Sequence, residues 1–203
     1  MRILLSLLAI AALVTVAHAG GAMWWDIDAA RTASEIEIKI HSNGTIEDVE
    51  YHVPVATVPT AVVQAMDGLY PGVTPTAAEK EYEGGELFYE LAVVVGGKKH
   101  EVMFTPAGKA HSKEIQVDEN DPKYPDLPAI QADILAKYAG ATNVVLEVIL
   151  DAADALVEYH IKLVTDNGTP AEKHHKLIVT KDGFLASAYL EVAAEIEVPI
   201  PPR

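Results

Sequence analysis

The sequence predicts an α+β protein of two tandem modules, each a helix packed on an antiparallel β-sheet, after a cleaved signal peptide. Three observations support this prediction. The first residues have the composition of an export signal, the rest of the chain repeats one order of motifs, and in both copies one helical stripe precedes strands joined by short turns. Helices that are separated from runs of hairpin-linked strands are typical of α+β folds and not of doubly wound folds.

Residues 1–19 are predicted to form the signal peptide. Arg2 supplies a positive charge, the run 3–16 is almost entirely apolar, and Ala17 and Ala19 place small residues where signal peptidase cleaves. The run is short for a membrane span, and no stop-transfer charges follow it. An N-terminal membrane anchor is the alternative. We therefore predict a periplasmic or secreted protein with no transmembrane segment in the mature chain.

The first module is predicted from its alternation and its turn residues. Polar and apolar residues alternate over 35–41, an Asn-Gly pair at 43–44 predicts a type I′ turn, and 45–53 is the return strand. Pro59 begins a helix with one apolar stripe, which ends at Tyr-Pro-Gly in 70–72. Further strands are predicted at about 75–83, 86–95, 99–105 and 110–117.

A second copy of this plan follows. Residues 100–108 read HEVMFTPAG and residues 175–183 read HKLIVTKDG, so that both begin with His, end with Gly and have Thr in sixth place. The Val-Pro pair at 58–59 corresponds to a Leu-Pro pair at 127–128. The second copy is predicted to contain a helix at 128–138 and strands at about 143–150, 155–164, 173–180 and 184–192.

These motifs divide the chain. The first module, with its N-terminal hairpin, is predicted to span 20–117 and the second 127–198. Acidic residues, Asn and two prolines disfavour regular structure over 118–126, which is predicted to be a linker. The Pro-rich tail 199–203 is predicted to be extended.

The order of motifs resembles a known family. After the Asn-Gly turn, the Val-Pro helix start and the Tyr-Pro-Gly helix end come Tyr-Glu at 89–90, Gly-Gly-Lys at 96–98 and Gly-Lys at 108–109. The chain over about 35–192 is similar to periplasmic PepSY-like domains, whose tandem form resembles the fold of the β-lactamase inhibitor protein. The resemblance implies a small exported module that inhibits or regulates an enzyme. It implies no catalytic residues.

Composition and motifs bound the chemistry. The chain has 15 Lys+Arg against 30 Asp+Glu, a net charge of −15, and no cysteine. This acidity argues against binding nucleic acid or anionic membranes, which require basic surfaces. Thiol chemistry and thiolate metal sites are excluded. No Gly-x-Ser-x-Gly elbow, phosphate loop or dinucleotide fingerprint is present. We therefore predict a protein that is not an enzyme and needs no cofactor.

Histidines offer one alternative. Glu158 and His160 are two residues apart on one predicted strand and share a face, and His174 lies on the next strand. If these strands pair, the three side chains are candidate ligands of Zn²⁺ or Cu²⁺. The alternative function is therefore a periplasmic metal-binding protein that uses strand histidines.

The main prediction is an exported, non-catalytic binding module with a protein partner, for which a periplasmic enzyme is the candidate. Acidic residues of the N-terminal hairpin would steer a basic target to the module. These residues are Glu35, Glu37, Glu47, Asp48 and Glu50. Trp24 and Trp25 have two interpretations, packing over an edge of the first module or contact with a partner.

Overall fold

A computed structural model describes residues 25–193. The predicted signal peptide, Trp24 and the Pro-rich tail lie outside the described residues. Three α-helices are present in this range, α1 (Ile27–Ala30), α2 (Thr60–Leu69) and α3 (Leu127–Lys137), with a short 3₁₀ helix at Val55–Thr57. The strands are β1 (Ile36–Ile40), β2 (Ile46–His52), β3 (Ala77–Glu83), β4 (Glu86–Val95), β5 (Lys98–Phe104), β6 (Ala110–Val117), β7 (Thr142–Asp151), β8 (Leu156–Thr165), β9 (Lys173–Thr180) and β10 (Leu185–Glu191).

The ten strands form one antiparallel sheet in which each strand neighbours the next one along the chain. The prediction of two tandem modules, each with its own sheet, is therefore wrong. Strands β6 and β7 pair directly, from Ser112 opposite Asp151 to Val117 opposite Leu146, although the acidic segment and α3 separate them in the chain. This pairing satisfies backbone groups that two separate sheets would leave at two further edges.

The described residues divide into two compact units, which are not bounded by the acidic segment. The first unit comprises 25–92 and 103–109, and the second comprises 93–102 and 110–193. Residues 118–126 lie within the second unit, between β6 and α3. None of the helices in 25–193 has the length and apolarity that crossing a membrane requires.

Asp26 joins α1 to the sheet in the first unit. Its carboxylate caps α1 by accepting hydrogen bonds from the amides of Asp28 and Ala29. The same side chain forms an ion pair with Lys80 and accepts a hydrogen bond of 2.8 Å from Tyr82 Oη. Burial alone would raise the pKa of Asp26, but these contacts lower it to about 2. The short helix is thus fixed to β3 by a single carboxylate.

Helix α1 packs on one face of the sheet, against apolar residues of β1 and β2. Val49 and Tyr51 are fully buried with Ala29, and Ile36 and Ile38 pack against them. Trp25 packs edge-on against Tyr51, with ring centroids 6.0 Å apart. For Trp25, this contact corresponds to the first of the two interpretations, packing over the first module.

Gly108 places the turn between β5 and β6 against α2. Its φ is +80°, and a Cβ on it would lie 2.5 Å from the backbone oxygen of Ala61. Only glycine combines this conformation with so close an approach of two backbones. Gly183, in the turn between β9 and β10, has a φ of +86°, but a Cβ on it would meet only the side chain of Ile130 on α3, at 3.4 Å.

The second unit has its core between α3 and the sheet. Leu127, Ile130 and Ile134 form the buried stripe of the helix. They pack against Leu146, Val148, Leu150, Tyr159, Ile161, Leu163, Leu177 and Val179 of β7, β8 and β9. Because side chains alternate along a strand, the residues between these apolar ones lie on the opposite face, away from α3.

Candidate functional site

One face of β1–β4 in the first unit carries a dense set of carboxylates. The pairing register places these residues on the face opposite α1, because they alternate with the apolar residues that cover α1. We call this set the acidic ladder. It consists of Glu37, Asp48, Glu50, Glu79, Glu81, Glu83, Glu86 and Glu90.

Carboxylates of the acidic ladder face each other across the strands. Five pairs are directly opposite in the register, Glu37 with Glu50, Asp48 with Glu83, Glu50 with Glu81, Glu79 with Glu90, and Glu83 with Glu86. Like charges in such positions destabilise a sheet, since their Cβ atoms are only about 4.5–5.5 Å apart. The fold therefore maintains an electrostatic cost on this face that an added positive charge would relieve.

Two basic side chains lie within the acidic ladder. Lys39 forms an ion pair with Asp48. Burial alone would lower the pKa of Lys39, but the Asp48 carboxylate raises it above its ordinary value. His52 Nε2 lies 2.9 Å from Glu37 Oε1, and its Nδ1 lies 3.5 Å from Glu79 Oε1. These carboxylates raise the pKa of His52 against the effect of burial.

The centre of the acidic ladder is withdrawn from solvent. Asp48 is 1% exposed and Glu81 is 5% exposed, which is unusual for carboxyl side chains. Burial raises the pKa of Glu81 to about 9, and the charges of Glu50, Asp48 and Glu83 add to the effect. Glu47, which the sequence placed with these acids, lies next to a bulge in the β1–β2 pairing, with Oε2 3.5 Å from His41 Nδ1.

A second charged cluster lies on the face of the second unit opposite α3. His160 Nδ1 is 2.9 Å from Glu114 Oε2, and His160 Nε2 is 3.0 Å from Glu158 Oε1. Lys162 Nζ donates hydrogen bonds of 3.1 Å to Glu114 Oε1 and to Glu147 Oε1. We call these five residues the His160 cluster. Strands β6, β7 and β8 each contribute to it.

The pKa values within the His160 cluster follow from burial and neighbouring charge. Burial alone would raise the pKa of Glu114, but the hydrogen bond from His160 and the Lys176 and Lys162 charges hold it well below its ordinary value. Burial and the Glu114 charge raise the pKa of Glu147 to about 7. Burial would lower the pKa of His160, but its two carboxylate partners raise it.

This cluster is suited to structure and not to catalysis. Both ring nitrogens of His160 contact carboxylates, and a histidine in that position donates from both when it is protonated. A general base or a metal ligand needs a free ring nitrogen. Lys162 contributes the positive charge between Glu114 and Glu147 that a metal ion would otherwise supply.

The structure brings together two of the three residues predicted to bind a metal. Glu158 and His160 are in contact. The residue of β9 opposite His160 is Ile178. His174 lies four positions from Ile178 along β9, which is about 13 Å, and is opposite Val164. His174 Nε2 instead lies 2.9 Å from Glu172 Oε1.

Sequence reasoning missed Glu114, Glu147, Lys162 and the β3 and β4 parts of the acidic ladder. A signal was present for Glu147, which is the only charged residue in the run Val-Val-Leu-Glu-Val-Ile-Leu over 144–150. An ionisable residue inside a buried strand requires a partner. The alternating acids at 79, 81 and 83 are a second such signal, since they share one face.

Comparison with known proteins finds similar chains among solved structures. No family model matches the chain. No curated protein matches it either. Among solved structures, the chain is similar to a Bacteroides eggerthii protein described as periplasmic, with 17% identity, a TM-score of 0.48, and coverage of 66% of this chain and 88% of that one.

Two further structures are similar in the same way. A DUF2874 family protein from Bacteroides uniformis has 17% identity and a TM-score of 0.46, with coverage of 65% of this chain and 88% of that one. A BLIP-like protein from Bacteroides fragilis has 20% identity and a TM-score of 0.44, with coverage of 70% and 93%. The resemblance to PepSY-like domains stays a prediction, whereas the single ten-stranded sheet contradicts the tandem modules that it implied. The chain is similar at low identity to a BLIP-like protein.

Proposed function

We propose that this chain is an exported, non-catalytic protein-binding module whose acidic ladder binds a basic surface of a protein partner. The observation that carries the proposal is the set of five carboxylate pairs directly opposed across β1–β4. Opposed like charges destabilise the free protein, and basic side chains of a partner would remove that cost on binding.

The rim of the acidic ladder is accessible to such a partner. Glu37 and Glu86 are exposed, and Glu83 is partly exposed. A surface with one sign of charge also accelerates the encounter with an oppositely charged protein. A periplasmic enzyme with basic residues around its active site is the partner class that we propose, because occupation of that surface would inhibit or regulate it.

The absence of catalytic function is part of this proposal. Within residues 25–193, His160 has both nitrogens engaged by carboxylates, and the sequence has neither a cysteine nor a serine in a nucleophile elbow. The metal-binding alternative retains one supporting observation. One possible ligand atom from each of Glu114, Glu147 and His160 lies within 4.8 Å of the others, although Lys162 already pairs with both carboxylates.

The test uses three forms of the protein as baits in a periplasmic extract that contains a chelator. The face variant carries Glu37→Gln, Glu83→Gln and Glu86→Gln. The control variant carries Glu119→Gln, Asp133→Asn and Asp182→Asn, which remove the same charge from exposed positions outside the acidic ladder. We expect one basic protein to be retained by the unmodified and control baits and to be lost from the face variant.

Salt dependence gives a second measurement on the same complex. Affinity for the retained protein should fall as ionic strength rises, and the slope should be smaller for the face variant. Equal retention by all three baits, or no protein retained by the unmodified bait, would show that the acidic ladder is not a binding surface.

A further inference from the structure

Three carboxylates converge at the centre of the acidic ladder. Asp48 and Glu50 lie on β2 and Glu81 lies on β3, directly opposite Glu50. One oxygen from each of the three side chains lies within 4.8 Å of the others. Two oxygens bound to the same Ca²⁺ are at most about 4.6–5.2 Å apart, since each Ca–O distance is about 2.3–2.6 Å. The three side chains are therefore close enough to share one ion.

The cluster contains an acceptor with no donor. Asp48 Oδ2 is paired with Lys39, whereas the buried Oδ1 atom accepts no hydrogen bond. A buried carboxylate oxygen without a partner is costly, and such an atom in a native protein calls for an explanation such as a bound ion. Asp48 is 1% exposed, so bulk water has almost no access to its side chain.

We propose that Asp48, Glu50 and Glu81 bind a Ca²⁺ ion in the first unit. Ca²⁺ would displace the proton of Glu81 on binding, and the three ionised carboxylates with the ammonium of Lys39 then carry two net negative charges, which one divalent cation neutralises. The ion would ligate the free oxygen of Asp48. It would also bridge Glu50 and Glu81, which are directly opposed across the strands. This inference is independent of the proposed partner, whose binding is measured in the presence of a chelator.

The chemistry of the donors favours calcium over other common metals. All three ligands are carboxylates, which hard cations prefer, and no nitrogen or sulfur donor is among them to favour zinc or copper. Side chains fixed on two strands do not readily provide a regular octahedron. Ca²⁺ accepts irregular geometry with bidentate carboxylates, whereas Mg²⁺ requires a near-ideal octahedron and retains several waters.

Two other groups of acidic and histidine side chains are weaker candidates. Glu35, Glu37 and His52 also converge, but both glutamates are exposed and His52 contributes a nitrogen that Ca²⁺ does not prefer. In the His160 cluster, Lys162 supplies the cation between Glu114 and Glu147. The group at Asp48 therefore best combines oxygen donors, burial and an unfilled acceptor.

The test is calorimetric titration of the purified protein with CaCl₂, and with MgCl₂ for comparison. We expect one Ca²⁺ per chain, with a dissociation constant on the order of 10⁻⁴–10⁻³ M as in extracellular calcium sites, and weaker binding of Mg²⁺. Glu81→Gln keeps the shape of the side chain and should weaken Ca²⁺ binding at least about tenfold, since affinity follows the number of charged ligands. Glu86→Gln removes the same charge outside the group and should leave affinity unchanged.

Lys39→Met provides a test by gain of binding, which a merely destabilised variant would not show. Removal of the ammonium makes the charge of the group more negative by one, so Ca²⁺ affinity should rise by roughly tenfold. Circular dichroism would establish that each variant is folded. Absence of Ca²⁺ binding to the unmodified protein at 25 °C up to about 10 mM, well above the expected range, would overturn the proposal. Equal affinity of the Glu81→Gln and Glu86→Gln variants would overturn it as well.

Discussion

His160 Nδ1 on β8 lies 2.9 Å from Glu114 Oε2 on β6, across the intervening strand β7. The contact joins residues that are separated by 46 positions in the chain. Both side chains lie on the face opposite α3, so the ion pair links β6 to β8 on that face. This relationship makes His160 the residue whose removal should most affect the second unit's charged face.

His160→Ala should lower the free energy of unfolding by about 2–4 kcal/mol, because it leaves Glu114 buried without its main partner. The pKa of His160 is raised in the folded state, so its contribution is complete below the ordinary pKa of 6.5 and is lost as pH rises through the folded value. Urea unfolding at pH 6 and pH 8.5 should thus show a larger effect at pH 6. His174→Ala, at an exposed surface pair, is the control and should have little effect. Equal losses in both variants would contradict this prediction.

Glu147→Gln should change how stability depends on pH. In the folded protein the pKa of Glu147 is about 7, against an ordinary value of 4.5. Between these two values the unfolded chain has released this proton and the folded chain retains it, so the folded protein loses stability as pH rises. The variant lacks this dependence and should gain stability relative to the unmodified protein from pH 4.5 to 7. Denaturant unfolding across that range measures the difference, and Glu119→Gln, an exposed glutamate, should show none.

Asp26→Asn should destabilise the first unit by about 1–3 kcal/mol, since it weakens the cap of α1 and the ion pair with Lys80. The pKa of Asp26 is lowered to about 2, so its contribution is present above the ordinary value of 3.8 and disappears as pH falls toward 2. Thermal unfolding should therefore separate the variant from the unmodified protein at pH 7 and bring them together near pH 2. Asp28→Asn, a highly exposed carboxylate on the same helix, is the control. A similar loss of stability in both variants would show that the Asp26 carboxylate contributes no more than an exposed charge does.

Gly108→Ala should be more destabilising than Gly97→Ala, although the two residues have φ values of +80° and +81°. A methyl group at position 97 meets no atom within 4 Å, so only the backbone conformation resists it, at a cost of about 1–2 kcal/mol. At position 108 the methyl group would also collide with the backbone of Ala61, which should add about 1–3 kcal/mol. Gly183→Ala should be intermediate, because the side chain of Ile130 can move. Urea unfolding of the three variants checks this order, and equal effects would contradict it.

Zn²⁺ and Cu²⁺ titrations decide the histidine alternative. Both ring nitrogens of His160 contact carboxylates, and His174 lies four positions along β9 from the residue opposite His160. We therefore expect no heat of binding at micromolar Zn²⁺ or Cu²⁺. The Lys162→Met variant removes the ammonium that pairs with Glu114 and Glu147 and would compete with a metal ion there. Its titration therefore shows whether these carboxylates and His160 bind a metal without Lys162. Tight binding by the unmodified protein that is lost in His160→Ala would restore the metal-binding function.

Local patterns predicted nearly every strand and helix of the described chain. The alternation over 35–41 corresponds to β1, and the Tyr-Pro-Gly segment corresponds to the end of α2. The Asn-Gly pair lies in the following turn, but the predicted type I′ turn is wrong, because only Gly44 of the pair has a positive φ. These features depend on residues close together in the chain, whose conformational preferences act at short range. Helix α1 was missed because four residues are too few to show a periodic pattern.

The error in fold class arose from β6 and β7. Their pairing is not encoded by a turn, since an acidic segment and α3 lie between them. An unpaired strand edge offers the same backbone donors and acceptors to water, to a partner or to another strand of the chain, so side-chain patterns do not identify its neighbour. The His160 cluster is subject to the same limit, because Glu114 reaches it only through the β6–β7 pairing.

The order of the strands has a consequence for how the molecule folds. Every pairing joins consecutive strands, and the two that are not closed by a short turn, β2 with β3 and β6 with β7, are each separated by 24 residues, 53–76 and 118–141. Closing two segments of equal length carries a similar entropic penalty. The sheet can therefore form by adding one strand after another along the chain. We expect closure of the two helix-containing segments to be the slowest steps of this process.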